Sequence, residues 1–205
     1  YISGWHQGRD KKFRIVGPKG TKEFFQNMLK AFKKELQGRV QWEQRPNKGG
    51  LDYEITEINS DYAYKNLHLE IIPFEVDHYP VEPAYGYQIK VSDTEIEKKV
   101  VISGDTRKNE NLINHARDAD ALVHEVFINL EFDENRMSKK TISNVRDYHT
   151  SPKEIGEIAK AANVKKLILT HFVPPVFNED FLTKEIRESY KGNVIIGEDL
   201  LTIEI

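Results

Sequence analysis

The side chains able to do acid–base or metal chemistry in this 205-residue chain stand where short apolar runs stop: His78, Asp105, His124, Glu125 and His171. His149 adds another, just ahead of a helix start at Ser151. Neutral imidazole and carboxylate are the ligand set of zinc, manganese and iron. A carboxylate such as Asp105 can also bridge two cations, as two-metal hydrolysis requires. The same residue types have plainer uses. Asp105 could cap a helix, and a lone histidine at a strand end is commonly a hydrogen-bonded structural residue. Recurrence is what argues for a site, because parallel strands bring their carboxyl ends to one edge of an α/β sheet, where ligands bind. Cysteine is absent, so a metal here would be held by histidine and carboxylate alone.

The elements that must position these residues can be read from pattern. Phe13–Val16 is a short strand closed by Gly17-Pro18-Lys19-Gly20. A helix from Thr21 to about Gln37 follows, ended by Gly38, with Phe24, Phe25, Met28, Leu29, Phe32 and Leu36 as a core stripe. Leu51, Tyr53 and Ile55 alternate as in a half-buried strand, and Asn59-Ser60-Asp61 is a turn. The strand Leu67–Val76 delivers Asp77-His78. Tyr85–Val91 then pairs with Val100–Ser103 across a polar hairpin. After Asp105, Thr106 can cap a helix over Lys108–Asp118, and Ala121–Val123 is a strand stopping at His124-Glu125. Asn129–Asp147 is charged and weakly periodic, an excursion carrying Arg136, Lys139, Lys140 and Arg146. Ser151-Pro152-Lys153-Glu154 is a capping box opening a helix with Ile155, Ile158, Ala159 and Ala162 inward, ended by Asn163. Leu167–Leu169 leads to Thr170-His171-Phe172. A helix at Glu179–Tyr190 and strands at Val194–Ile196 and Leu201–Ile205 complete the chain.

Composition bounds the function. The length suits a single domain, 1–205, and 39 % hydrophobic residues can build a core. A net charge of −3 gives no global attraction to nucleic acid or anionic membrane, and no apolar run is long enough for a membrane span.

Several motifs together resemble a family: Phe74-Glu75-Val76-Asp77-His78, Pro83-Ala84-Tyr85-Gly86-Tyr87, Ser103-Gly104-Asp105-Thr106, Ala119–Glu125, His149-Thr150-Ser151 and Leu169-Thr170-His171-Phe172. They stand in the order seen in the metallo-β-lactamase fold and look most like its ribonuclease Z and arylsulfatase-like branch. Trp5–Arg9 and Val16–Thr21 resemble the region that follows the family's first metal motif. The resemblance implies an α/β, αββα sandwich hydrolase using two divalent metal ions, most simply zinc, with manganese or iron as alternatives. It casts His78 and His171 as metal ligands and Asp105 as the carboxylate bridging both ions. His149 takes the place of a non-ligand histidine beside the scissile phosphate, and Glu125 that of the acid orienting it. His124 packs under the site, while His6, His68 and His115 match no motif.

The family's His-x-His-x-Asp-His motif is missing, and the resemblance would put it upstream of Tyr1, so the amino-terminal part of the fold is expected to lie outside this chain. The implied activity is hydrolysis of a phosphodiester or related anionic ester by a metal-bound hydroxide. Aryl sulfates or small cyclic phosphodiesters are alternative substrates, and a non-catalytic binding module on the same fold is the reading from another class. Expected partners are a small anionic ester or RNA, without membrane, in a cytoplasmic protein that could form a homodimer. The excursion's cations speak for RNA. The stiff apolar residues Tyr79, Pro80, Val81, Pro83, Phe172, Val173, Pro174 and Pro175 around His78 and His171 speak for an aryl or nucleoside group.

Overall fold

The computed structural model describes residues 1–58, 62–93, 96–128 and 137–205. Contacts divide the chain into two compact units, Tyr1–Asp61 and Tyr62–Ile205. The turn read at 59–61 and the hairpin tip at 94–95 lie outside the described residues.

The first unit holds α1 (Ile2–His6), β1 (Phe13–Gly17), α2 (Thr21–Glu43), a 3-10 turn (Lys48–Leu51) and β2 (Tyr53–Glu57). β1 and β2 pair in parallel, from Phe13 opposite Tyr53 to Gly17 opposite Glu57. α2 makes the crossover and does not stop at Gly38. One interior glycine costs only about 1 kcal/mol, and Arg39 bridges it by pairing with Glu35 and Glu43 a turn to either side (2.9 and 3.0 Å). The expected core stripe is a correction too. Phe25 is buried, but Phe24 is 71 % exposed and Phe32 is also exposed. A two-stranded sheet offers too little surface to cover a 23-residue helix. At the start of α2, the N–H groups of Gly20 and Lys22 donate to Glu57 Oε1 (2.9 and 3.0 Å), so the chain's own carboxylate closes that glycine turn.

The second unit is a seven-stranded sheet of β3 (Tyr64–Lys65), β4 (Leu69–Val76), β5 (Ala84–Ser92), β6 (Glu97–Ile102), β7 (Ala121–Phe127), β8 (Lys166–Val173) and β9 (Asn193–Ile196), in sequence order across the sheet. Pairing is antiparallel from β3 to β6 and parallel from β6 to β9. Its helices are α3 (Glu110–Ala116), α4 (Lys139–Asp147), α5 (Pro152–Ala161) and α6 (Glu179–Arg187). Val101, Leu112, Leu122, Ile155, Ile158, Leu167, Leu169, Leu182 and Ile186 are fully buried and form one cluster. The capping box of α5 is present on both sides: Glu154 N–H donates to Ser151 Oγ and Ser151 N–H donates to Glu154 Oε2.

Two local readings are overturned and a third gains detail. α3 is capped by Asn109, whose Oδ1 accepts from Leu112 N–H (2.8 Å), because the Thr106 hydroxyl is engaged with backbone carbonyls instead. The charged, weakly periodic excursion contains α4, capped by Ser138; only Ile142 of that helix is buried, which is why its periodicity is weak. Residues 129–136, including Arg136, lie outside the described residues. Leu201–Ile205 alternates as a strand would but pairs with no described neighbour. Alternation permits a ladder, yet only a partner in register makes one. Among the described residues, no helix is long and apolar enough to cross a membrane.

Candidate metal centre

Each chemically capable residue of the second unit is delivered by a recognisable local device. β4 ends one residue before Asp77-His78. After β6 the backbone turns at Gly104, whose φ is +63° and whose missing Cβ would stand 2.6 Å from the Tyr85 carbonyl. Only glycine fits that approach, and the turn presents Asp105. β7 and β8 run further than their sequences suggested, so His124, Glu125 and His171 lie within strands rather than at their ends. Successive residues face opposite sides of a strand. His124 is fully buried, its Nδ1 2.7 Å from the Glu125 carbonyl oxygen. Burial pushes its pKa below the ordinary histidine value, against the pull of the Glu125 charge.

His171 owes its position to a bulge. His124 pairs with Leu169 and Val126 with Phe172, so Thr170 and His171 together oppose Glu125. His171 takes φ +46°, a left-handed conformation that costs a non-glycine residue on the order of 1–3 kcal/mol. A bulge re-aims a side chain, and here the His171 side chain is half exposed.

These devices converge. Asp105, His149 and His171 each place a ligand atom within 4.8 Å of the others. His171 Nε2 lies 3.3 Å from Asp105 Oδ2. Behind them, His149 Nδ1 approaches Glu125 Oε2 to 3.2 Å, both side chains nearly buried; the approach is an ion-pair distance without hydrogen-bond alignment, and neither atom has a hydrogen-bond partner among the described residues. The other oxygen, Oε1, accepts from Thr150 N–H (2.9 Å) and Thr106 N–H (3.3 Å). With Nδ1 turned to the carboxylate, Nε2 is the nitrogen left for chemistry. His78 stands outside the three-residue cluster, its ring 5.2 Å from that of His149 between centroids.

Residues that sequence reading passed over support this arrangement. The Tyr148 carbonyl oxygen sits 2.9 Å from His78 Nδ1, and its ring packs edge-on against that imidazole. Thr150 donates its hydroxyl to the Thr106 carbonyl, tying the His149 segment to the Asp105 segment. Arg107 pairs with Asp77 and Asp147 (2.7 and 2.8 Å). The hydrogen bond that Arg107 donates to Asp147, opposed by burial and aided by Asp77, holds its pKa above the usual guanidinium value. Its place two residues after Asp105 was the available signal. A cleft of about 540 Å³ opens beside His149, lined by Arg107, Lys108, Ser143, Arg146, Asp147, Ser151 and Glu154. Lys108 is paired with Glu157 (2.6 Å).

Two imidazoles and a carboxylate with donor atoms this close suit a divalent cation of the zinc, manganese or iron type. The carboxylate behind His149 stands where a partner can hold an imidazole's tautomer and orientation.

Several known proteins resemble this chain. Ribonuclease Z of Mycobacterium bovis is 29 % identical over 197 residues, covering 93 % of this chain and 66 % of that protein. This chain thus spans just under two thirds of the curated relative's length. Among solved structures, the metallo-β-lactamase fold protein YhfI from Bacillus subtilis superposes with a TM-score of 0.62 at 21 % identity, covering 96 % of this chain and 67 % of that one. The short form of human tRNase Z superposes with a TM-score of 0.56 at 19 % identity, covering 95 % and 68 %. These likenesses give the fold as metallo-β-lactamase-like. The profile of the beta-lactamase superfamily domain matches residues 6–172, a span that takes in His78, Asp105, Glu125, His149 and His171, and the chain belongs to that superfamily.

Proposed function

We propose that this protein is a metal-dependent hydrolase that cleaves phosphodiester bonds in the manner of a ribonuclease Z. The observation carrying this reading is the gathering of Asp105, His149 and His171, with Glu125 buried directly behind His149. In this reading Asp105 and His171, with His78, would hold the metal, taken to be zinc. Divalent cations, when bound, neutralise charge on a phosphoryl group and lower the pKa of water. His149 is the proton carrier. Its Nε2 donates to the leaving oxygen, while Glu125 keeps Nδ1–H directed and stabilises the charged ring. Thr106 and Thr150 hold Glu125 in place through its other oxygen. The similarity to the Mycobacterium bovis ribonuclease Z supports RNA as the substrate.

A second reading, a small aryl phosphodiester, is favoured by Tyr79 and Val81, apolar and exposed beside His78. The two separate by ionic strength. Polynucleotide binding through several phosphate contacts falls steeply with salt, whereas a small ester depends on it weakly. We expect kcat/KM for precursor tRNA to exceed that for bis(4-nitrophenyl) phosphate and to drop steeply between low and physiological salt. A small ester turned over better, with little salt dependence, would favour the second reading. Absence of bound metal together with absence of turnover on both substrates would refute the hydrolase.

A further inference from the structure

We propose that Arg107 is a positioning residue that sets the spacing of His78 and His149 by clamping the two chain segments that carry them. The inference rests on the hydrolase reading for its kinetic consequence but not for its structural one. Arg107 leaves the β6 segment two residues after Asp105 and reaches two others. Its Nη1 donates to Asp77 Oδ1 (2.7 Å), one residue before His78, and its Nη2 donates to Asp147 Oδ2 (2.8 Å), two residues before His149. Its backbone N–H donates to the Asp77 carbonyl (2.8 Å), which the Thr106 hydroxyl also reaches (3.2 Å). The loop is closed on the far side, where the Tyr148 carbonyl oxygen lies 2.9 Å from His78 Nδ1. A single guanidinium therefore links the segments of His78, Asp105 and His149, which are distant in sequence.

The clamp is not a stability device. Both carboxylates are well exposed, at 52 % and 76 % of the side chain, and ion pairs of that kind contribute little. What the pair of contacts does is fix geometry. Arg presents two donors in a rigid fork, so it can hold two carboxylates at a set separation, whereas the point charge of Lys meets one at a time. An error of about 1 Å in placing a catalytic group can cost roughly 10²-fold in rate, so a weak pair can matter to turnover.

The test compares Arg107→Ala, Arg107→Lys and Asp147→Asn with the wild-type chain by imidazole ¹⁵N NMR, zinc-binding calorimetry and steady-state kinetics on bis(4-nitrophenyl) phosphate. We expect Arg107→Ala to shift or broaden the His78 and His149 signals while leaving exposed His68 unchanged. Zinc affinity should fall as His78 shifts, and kcat should fall about tenfold or more, with KM within about twofold, as His149 is misplaced. Arg107→Lys and Asp147→Asn should lie between, and Arg107→Ala combined with Asp147→Asn should be no worse than Arg107→Ala alone, because the lost contact is shared. Unchanged His78 and His149 signals, or additive losses in the double variant, would overturn the clamp. A rise in KM at constant kcat would overturn it in favour of direct substrate contact. If the wild-type chain hydrolyses no ester while Arg107→Ala still moves both imidazoles, the clamp stands and the hydrolase reading falls.

Discussion

Replacing Glu125 by Gln and by Ala separates the two tasks its carboxylate performs. Glu125 is 2 % exposed, and its Oε1 accepts from the N–H groups of Thr150 and Thr106, whose residues are fully buried. Alanine leaves both donors unsatisfied. At about 1–3 kcal/mol for each buried unpaired group, the cost is about 2–6 kcal/mol, a large share of the 5–15 kcal/mol typical of a folded chain. Glutamine keeps an acceptor there and changes only what faces His149 Nδ1, 3.2 Å away. Its amide cannot stabilise a charged imidazole, and an N–H turned toward Nδ1 would favour the wrong tautomer. Glu125→Gln should therefore keep nearly the wild-type urea midpoint yet lose about 10² in kcat on bis(4-nitrophenyl) phosphate, within the range of general acid–base catalysis. Glu125→Ala should lose both stability and turnover. The assays are urea denaturation followed by circular dichroism, and initial rates at saturating substrate. Wild-type turnover by Glu125→Gln, or equal stability of the two variants, would refute the reasoning.

Asp105→Ala should lose most bound metal and nearly all turnover; a variant that retains its metal on elemental analysis after dialysis, with wild-type rates, would remove Asp105 from the ligand set. His149→Ala should keep its metal while kcat drops by roughly 10²–10⁴, and loss of metal instead would make His149 a ligand, as its distance to Asp105 and His171 also allows. Asp120 supplies a pH dependence of stability. Burial raises its pKa, but the hydrogen bonds from Lys165 Nζ and Lys99 N–H (2.8 Å each) outweigh this and leave it below the ordinary carboxylate value. Its contribution is present above about pH 4 and is lost as pH falls through the lower folded value, because the unfolded chain takes up the proton first. Urea midpoints of wild type and Asp120→Asn should accordingly converge as pH falls below 4, and parallel curves would contradict the assignment.

What could be read from the amino-acid order alone is what depends on near neighbours. The β-branched runs before Asp77-His78 and before Asp105 made strands, and Ser151-Pro152-Lys153-Glu154 made a capping box, because each signal is complete within a few residues. The pairing of β5 with β6 followed from two strand-like runs joined by a polar stretch. The order of the motifs was enough to recognise the fold. The tertiary structure decided the rest, wherever the outcome depended on register or on a distant partner. Nothing local marks Thr170 and His171 as a bulge; they become one because Glu125 on β7 is a single residue opposite two. Thr106 lost its expected capping role to carbonyls it meets only in the folded chain. The α2 stripe promised a core that its small sheet does not supply. Arg107 reaches Asp147 across 40 residues and His78 meets the Tyr148 carbonyl across 70. Sequence spacing carries no information about such separations, since only the closed fold brings those atoms within 3 Å of one another.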